Sequence, residues 1–315
     1  ISTVRFKCAF TYLDDIVIYF PSFEQHILDL TMVLRLLDEV GVSLKLSKCS
    51  FAALQVQYLG YKVRRNGIQV DESKVEAVLR DKPPTTKTGL RHFLGMTGFY
   101  RRFIKQYSTI VAPLNKYLKG DQEETFELNE EALHSHTALK EAITSAPVLA
   151  LPRKTGAYAI EADASASQLG AQLLQEQEDK TYRPIGFWSR PCTAAERNYC
   201  STEREALAIV WSVKLCRPYL ERTKFIVRSD HQALRWLFSV GNTDGNPRIM
   251  RWKLAMAAFE FTVEYKTGSS QRVALSTRLA VRNELRTNSA GCRLMGCLLS
   301  PKMQTSTMSF IVWLF

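Results

Sequence analysis

Apolar and polar positions change their period several times along the chain, and each change marks an element. Phe10 to Phe20 reads as two short β-runs, with Asp14 and Asp15 set between Tyr12-Leu13 and the β-branched Ile16-Val17-Ile18, a hairpin carrying acids at its tip. Ile27, Leu30, Leu34 and Leu37 then recur at three- and four-residue steps, which predicts a helix to Val40 stopped at Gly41, a residue suited to a left-handed C-terminal cap. Short strands follow at Val42 to Leu46 and Gln57 to Val63. Pro83 and Pro84 break the chain. From Thr88 a helix is predicted that carries His92, Arg101, Arg102 and Lys105 beside Phe93, Leu94, Phe99, Tyr100 and Phe103. Another helix, Glu130 to Thr144, ends before Pro147 and Pro152, which mark a domain boundary.

Beyond that boundary the pattern alternates. Strands are predicted at Ala157 to Asp163, Leu169 to Gln175 and Pro184 to Ser189, then a helix at Thr202 to Leu215 and a strand at Lys224 to Asp230. A helix at Gln232 to Phe238 and a strand at Phe259 to Tyr265 complete the series, the last placing Phe259, Phe261, Val263 and Tyr265 on one face. Three antiparallel-compatible strands followed by helix-separated strands describe an α/β (α+β) architecture built on a mixed sheet flanked by helices. Trp188, Trp211 and Trp236 sit in apolar segments and are read as core. From Arg282 the periodicity fades, and the tail is expected to lack order.

Charge changes this picture little. The 315 residues carry a formal net charge of +11, which favours a polyanionic partner. Seven basic residues against the single acid Glu284 follow Tyr265, however, so more than half of the excess lies in the C-terminal stretch and charge alone is weak evidence for nucleic acid. Seven scattered cysteines without CxxC spacing argue against both a disulfide framework and a structural zinc site, so a reducing, intracellular setting is the simpler reading. No apolar run is long enough to span a bilayer, and no membrane partner is expected. Ile1 in place of a start methionine marks the chain as a piece of something longer. Without a Gly-rich phosphate loop, nucleophile elbow or metal-binding His pair, an unrelated metabolic α/β enzyme has no support.

The candidate chemistry lies in the acids. Two divalent ions roughly 3.5–4 Å apart can stabilise both the attacking and the leaving oxygen of a phosphoryl displacement, and hard ions such as Mg²⁺ take carboxylate oxygens. Asp163 and Asp230 end two predicted strands, and Glu205 lies near the start of the intervening helix, where the helix N-terminus tolerates negative charge. Singly, each is ordinarily a cap or turn acid; in this order of elements the three converge on one sheet edge. Asp14 and Asp15 alone describe only a hairpin turn. The basic and aromatic residues from His92 to Lys105 suit a phosphate backbone with stacked bases, and equally an aromatic core face with a solvated basic edge.

Phe10-Thr11-Tyr12-Leu13-Asp14-Asp15-Ile16-Val17-Ile18-Tyr19, Lys45 to Phe51, Tyr58-Leu59-Gly60-Tyr61 and Phe93 to Ile104 resemble the palm end and thumb of the reverse transcriptase of gypsy-class long-terminal-repeat retrotransposons. Glu161-Ala162-Asp163-Ala164-Ser165, Thr202 to Ala208, Arg217-Pro218-Tyr219-Leu220 and Arg228-Ser229-Asp230-His231 resemble the connection and ribonuclease H domain of the same polyproteins. The resemblance runs from about Phe10 to Val273. It implies a partial palm over residues 1–80, a thumb and connection over 81–150, a ribonuclease H-like five-stranded mixed sheet over 151–280, and a tail outside the family at 281–315.

It also implies roles. Asp14 and Asp15 match two of three polymerase metal ligands, and Asp163, Glu205 and Asp230 match three of four ribonuclease H acids. Tyr12 would line the primer terminus, with His92, Arg101, Arg102 and Lys105 along the thumb. Mg²⁺, with Mn²⁺ as substitute, would be the cofactor. RNA–DNA hybrid and template-primer would be the nucleic-acid partners, a longer polyprotein copy would supply the fingers, and cytoplasmic particles would be the setting.

Three departures qualify those roles. The third polymerase acid belongs to a strand upstream of the hairpin, and family members carry a final aspartate where this chain reads Val273-Ala274-Leu275-Ser276. Gln271 also replaces a residue that is often histidine. The expected function is therefore a reverse transcriptase/ribonuclease H segment whose most plausible activity is hydrolysis of RNA in a hybrid. The alternative is a nucleic-acid-binding remnant without turnover.

Overall fold

The computed structural model describes residues 9–12, 15–19, 22–120, 124–231, 246–265 and 309–313, and the remainder lie outside this description. The chain divides into two compact units, Ile1–Arg65 with Ala274–Phe315, and Asn66–Val273. These limits fall elsewhere than at residues 80 and 150. In the second unit the Ile68–Leu149 bridge joins the strand Gly67–Val70 to the stretch that leads into the sheet, and hydrogen bonds described below tie the helices to the sheet.

In the first unit, β1 (Ala9–Tyr12) and β2 (Asp15–Ile18) form the expected antiparallel hairpin, with Tyr12 opposite Asp15. Helix α1 (Phe23–Glu39) begins at Ser22, whose side chain accepts from the Gln25 N–H, and buries Leu30, Val33 and Leu37 against Ala9, Ile16 and Ile18. Two strand expectations change. Val42 to Leu46 leads into a 3₁₀ turn at Leu46–Lys48, ahead of β3 (Ser50–Ala53). Gln57 to Val63 is a hairpin instead of one strand: β4 (Gln55–Tyr58) and β5 (Tyr61–Arg64) turn at Leu59 and Gly60, with φ of 50° and 77°, the sign that a tight hairpin twist requires.

In the second unit, β6 (Gly67–Val70) precedes α2 (Glu72–Arg80), which is capped by Asp71, and α3 (Lys87–Phe99), which is capped by Thr86. Helix α3 stops at Tyr100, so Arg101 and Arg102 lie in a short 3₁₀ helix (Arg101–Phe103) and Lys105 in the turn beyond it rather than on α3; α4 (Tyr107–Asn115) then starts from Gln106, which is in left-handed backbone. Helix α5 (Glu130–Thr144) is capped by Asn129, and its His136 lies against Phe93 with ring centroids 4.4 Å apart.

The sheet follows: β7 (Tyr158–Ala164), β8 (Gln168–Glu176), β9 (Tyr182–Pro191), the short α6 (Ala194–Arg197), α7 (Ser201–Leu215), the short α8 (Arg217–Leu220), β10 (Phe225–Ser229), α9 (Pro247–Met256) and β11 (Phe261–Tyr265). Its order is β11-β10-β7-β8-β9, with β7, β8 and β9 antiparallel and β10 parallel to both β7 and β11. This is the mixed five-stranded sheet expected of a ribonuclease H-like fold. Ala206, Ile209, Val210 and Val213 recur at helical spacing on α7 and pack with Ile160, Leu169, Leu173, Ile185 and Val227. Trp188 and Trp211 pack against this core, while Trp236 and the helix expected at 232–238 lie outside the described residues.

The tail departs from its expectation at one place. Ser309–Trp313 forms β12, paired in parallel with β2 and β3 in the order β1-β2-β12-β3. Phe310-Ile311-Val312-Trp313 is an aromatic and β-branched run of the kind that strands favour.

Candidate active site

Strand β10 pairs with β7 so that Phe225 meets Tyr158 and Arg228 meets Glu161. Carried two residues further, this register sets Asp230, just past β10, level with Asp163 near the end of β7; neighbouring strands lie about 4.8 Å apart. Both aspartates are exposed. Glu205, on the second turn of α7, is buried and receives a hydrogen bond from the Ala164 backbone. Its carboxyl is pushed up to about 7, first by burial and then by the negative charges of Asp163 and Asp230. Helix-dipole stabilisation of that charge was expected, but burial and like charge outweigh it.

The neighbouring Glu203 has a different task. It accepts from the Cys200 N–H at 3.1 Å, from Asn246 at 2.9 Å and from Arg248 at 2.9 Å, and so closes the start of α7 against α9. His231 is held by its N–H to Ser229 Oγ at 3.1 Å, and its Nε2 lies 3.0 Å from Thr202 Oγ1. The Asp-His pair and the helix start thus share a hydrogen bond that spacing alone did not reveal.

Carboxylates are hard oxygen donors of the kind a divalent cation takes, and Glu205 resists ionisation first because it is buried and then because of Asp163 and Asp230. Among the described residues, no group of three Asp, Glu, His or Cys side chains is placed so as to hold a metal ion. Segment 273–278, where the family's last aspartate would fall, lies outside the described residues.

The basic residues separate into three settings. His92 and Arg101 are exposed. Arg102, expected along the thumb, turns back onto the sheet: its Nε donates to the Ile185 carbonyl at 3.2 Å, its Nη2 to the Tyr219 hydroxyl at 3.2 Å, and its guanidinium lies 5.7 Å from the Trp188 ring centroid. Gly186 admits this approach, because a Cβ there would come within 2.8 Å of Arg102 Nε. Lys105 is exposed and reaches the groove that contains Asp163.

At the other candidate site Asp15 is half-buried at the start of β2 and Tyr12 is 54% exposed, whereas Asp14 lies outside the described residues. Tyr58 stands close by, its hydroxyl pKa raised by burial and then by Asp15 and Tyr12. The sequence placed Tyr58 in the Tyr58-Leu59-Gly60-Tyr61 motif but gave it no place beside the acids.

Residues 154–259 match the family described as RNase H-like domain found in reverse transcriptase, and residues 3–63 match Reverse transcriptase (RNA-dependent DNA polymerase). The chain is 35% identical over 278 residues to the retrovirus-related Pol polyprotein from transposon opus of Drosophila melanogaster, covering 85% of this chain and 27% of that protein. It belongs to the reverse transcriptase/ribonuclease H region of gypsy-class retrotransposon polyproteins. The transposon Tf2-3 polyprotein of Schizosaccharomyces pombe is 32% identical over 84% of this chain and 20% of its own length, so this gypsy-class chain spans about a quarter or less of these relatives. Foamy viral protease-reverse transcriptase solved with RNA/DNA hybrid superposes with a TM-score of 0.66 at 17% identity, covering 90% of this chain and 36% of that one. The same viral protein solved with dsDNA gives 0.67 at 18% identity, covering 80% and 53%. At these identities the likeness supports the fold of this retrotransposon chain.

Proposed function

We propose that Asp163, Glu205 and Asp230 hold Mg²⁺ or Mn²⁺ and that this edge of the sheet hydrolyses the RNA strand of an RNA–DNA hybrid. The observation that supports the reading is the strand register that sets Asp230 level with Asp163, with Glu205 bonded to the backbone of Ala164 beside them. A bound divalent pair supplies an activated water and charge neutralisation at the scissile phosphate. The chain's own acids orient that chemistry, and the sheet edge accepts the hybrid. The polymerase-side role follows the same logic: Asp14 and Asp15 bind metal for extension of a template-primer, Tyr12 lies toward the primer terminus, and residues upstream in a longer polyprotein complete the pocket.

The test is cleavage of an end-labelled hybrid in Mg²⁺ and in Mn²⁺ by the purified chain and by Asp163→Asn. Metal-dependent cleavage that disappears in the variant supports hydrolysis. A chain that binds hybrid without cutting it in either metal overturns hydrolysis and leaves the second reading, a nucleic-acid-binding remnant, which is favoured by the absence of the aspartate that the family resemblance leads one to expect near Val273-Ala274-Leu275-Ser276.

A further inference from the structure

The turn between α3 and α4 belongs to the acidic edge of the sheet as much as to the helices. Lys105 and Gln106 line one groove together with Glu161, Asp163, Gly170 and Gln172. That turn is fixed on both sides of Lys105. Before it, Arg102 is bonded to Ile185 and Tyr219; after it, the Ser108 N–H donates to Ser189 Oγ at 2.8 Å. Gln106 adopts φ 54° and ψ 35° and lies over Gly170, where a Cβ would stand 3.8 Å from its Cγ. The ammonium of Lys105 is left exposed, without an ion pair to any described residue.

Two carboxylates share the groove. Glu161 is buried and already balanced by Arg228 at 3.7 Å, and it accepts a hydrogen bond from Gln172. Asp163 belongs to the acidic trio. A cation held by that trio would repel a neighbouring ammonium and leave it to an anion of its own. The phosphates of a nucleic-acid strand recur along its length, so a strand with one phosphate at the acids presents another within the reach of a lysine beside them.

We propose that Lys105 seats a backbone phosphate of the RNA–DNA hybrid beside the scissile one, so that the helical segment completes the hydrolytic cleft of the sheet. This rests on the hybrid reading above.

The experiment measures the affinity of the full chain for an uncleavable hybrid with a 2′-O-methyl RNA strand, at constant Mg²⁺, from about 50 to about 200 mM salt. Lys105→Ala is expected to reduce the slope of log affinity against log salt by ~0.7–0.9, the signature of one lost phosphate contact, and Lys105→Arg to restore it. Lys224→Ala, at the opposite end of β10, removes a charge paired with Glu260 and is expected to leave the slope unchanged. A parent slope retained in Lys105→Ala, or an equal loss in Lys224→Ala, overturns the assignment of Lys105 and spares the hybrid reading. A parent chain that does not bind hybrid overturns both.

Discussion

Arg102 Nη2 donates to the hydroxyl of Tyr219 at 3.2 Å and so joins the turn after α3 to α8 across 117 residues of sequence. With the Ile185 carbonyl and the Trp188 ring, this contact makes Arg102 a link between the helices and the sheet. Arg102→Ala is expected to cost about 1–3 kcal/mol in urea unfolding, and Arg102→Lys to recover little, because an ammonium lacks the planar fork. An unchanged urea midpoint with weakened hybrid binding would return Arg102 to the nucleic-acid surface.

Glu205 gives the second unit a defined pH dependence. Its folded pKa of about 7 lies above the ordinary value of 4.5, so the folded state holds the extra proton. The contribution of this one group to stability is therefore fully present below about pH 4.5 and is lost as pH rises through about 7, by on the order of 2–3 kcal/mol when the carboxyl must ionise without a cation. Glu205→Gln should be more stable than the parent at pH 8 without metal, and close to it at pH 5. Equal thermal midpoints at pH 8 would contradict this.

Leu275→Asp should raise Mg²⁺-dependent hybrid cleavage. A fourth carboxylate restores a ligand to the metal pair, and each 1.4 kcal/mol recovered in the transition state is worth about tenfold in rate. Single-turnover cleavage is the measurement. A rate unchanged from the parent would locate the limitation elsewhere than at position 275.

Strand β12 lies between β2 and β3, and removing residues 309–315 leaves the facing edges of both strands unpaired. The truncated chain should self-associate at concentrations where the full chain does not, because open edges invite strand pairing. Sedimentation velocity of the two chains decides this. Matching profiles would mean that β12 contributes no edge protection.

The sequence was most legible where one period dominates. The alternating strands β7 to β10 and the apolar stripe of α7 lie within a few residues of their expected limits, since burial on one face fixes both register and boundary. The failures are local. Leu59–Gly60 turned a single expected strand into a hairpin, because a left-handed pair of residues leaves the apolar pattern undisturbed. Helix α9 was missed, although Asn246 and Pro247 carry its cap and first turn. Arg102 was read by its charge, and only the space above Gly186 explains why it faces inward. The three acids were singled out from their places at element ends, but the burial that separates Glu205 from exposed Asp163 and Asp230 depends on how α7 packs on β7.

The most direct test of the acidic site is the titration of the Glu205 side-chain carboxyl by carbon-13 NMR, with and without Mg²⁺. The expected result is a midpoint near 7 without the ion that falls to the ordinary carboxylate range or below when Mg²⁺ is present, with Asp163→Asn lowering the ion-free midpoint. An ordinary midpoint in both conditions, indifferent to Mg²⁺ and to Asp163, would contradict a shared cation site at Asp163, Glu205 and Asp230.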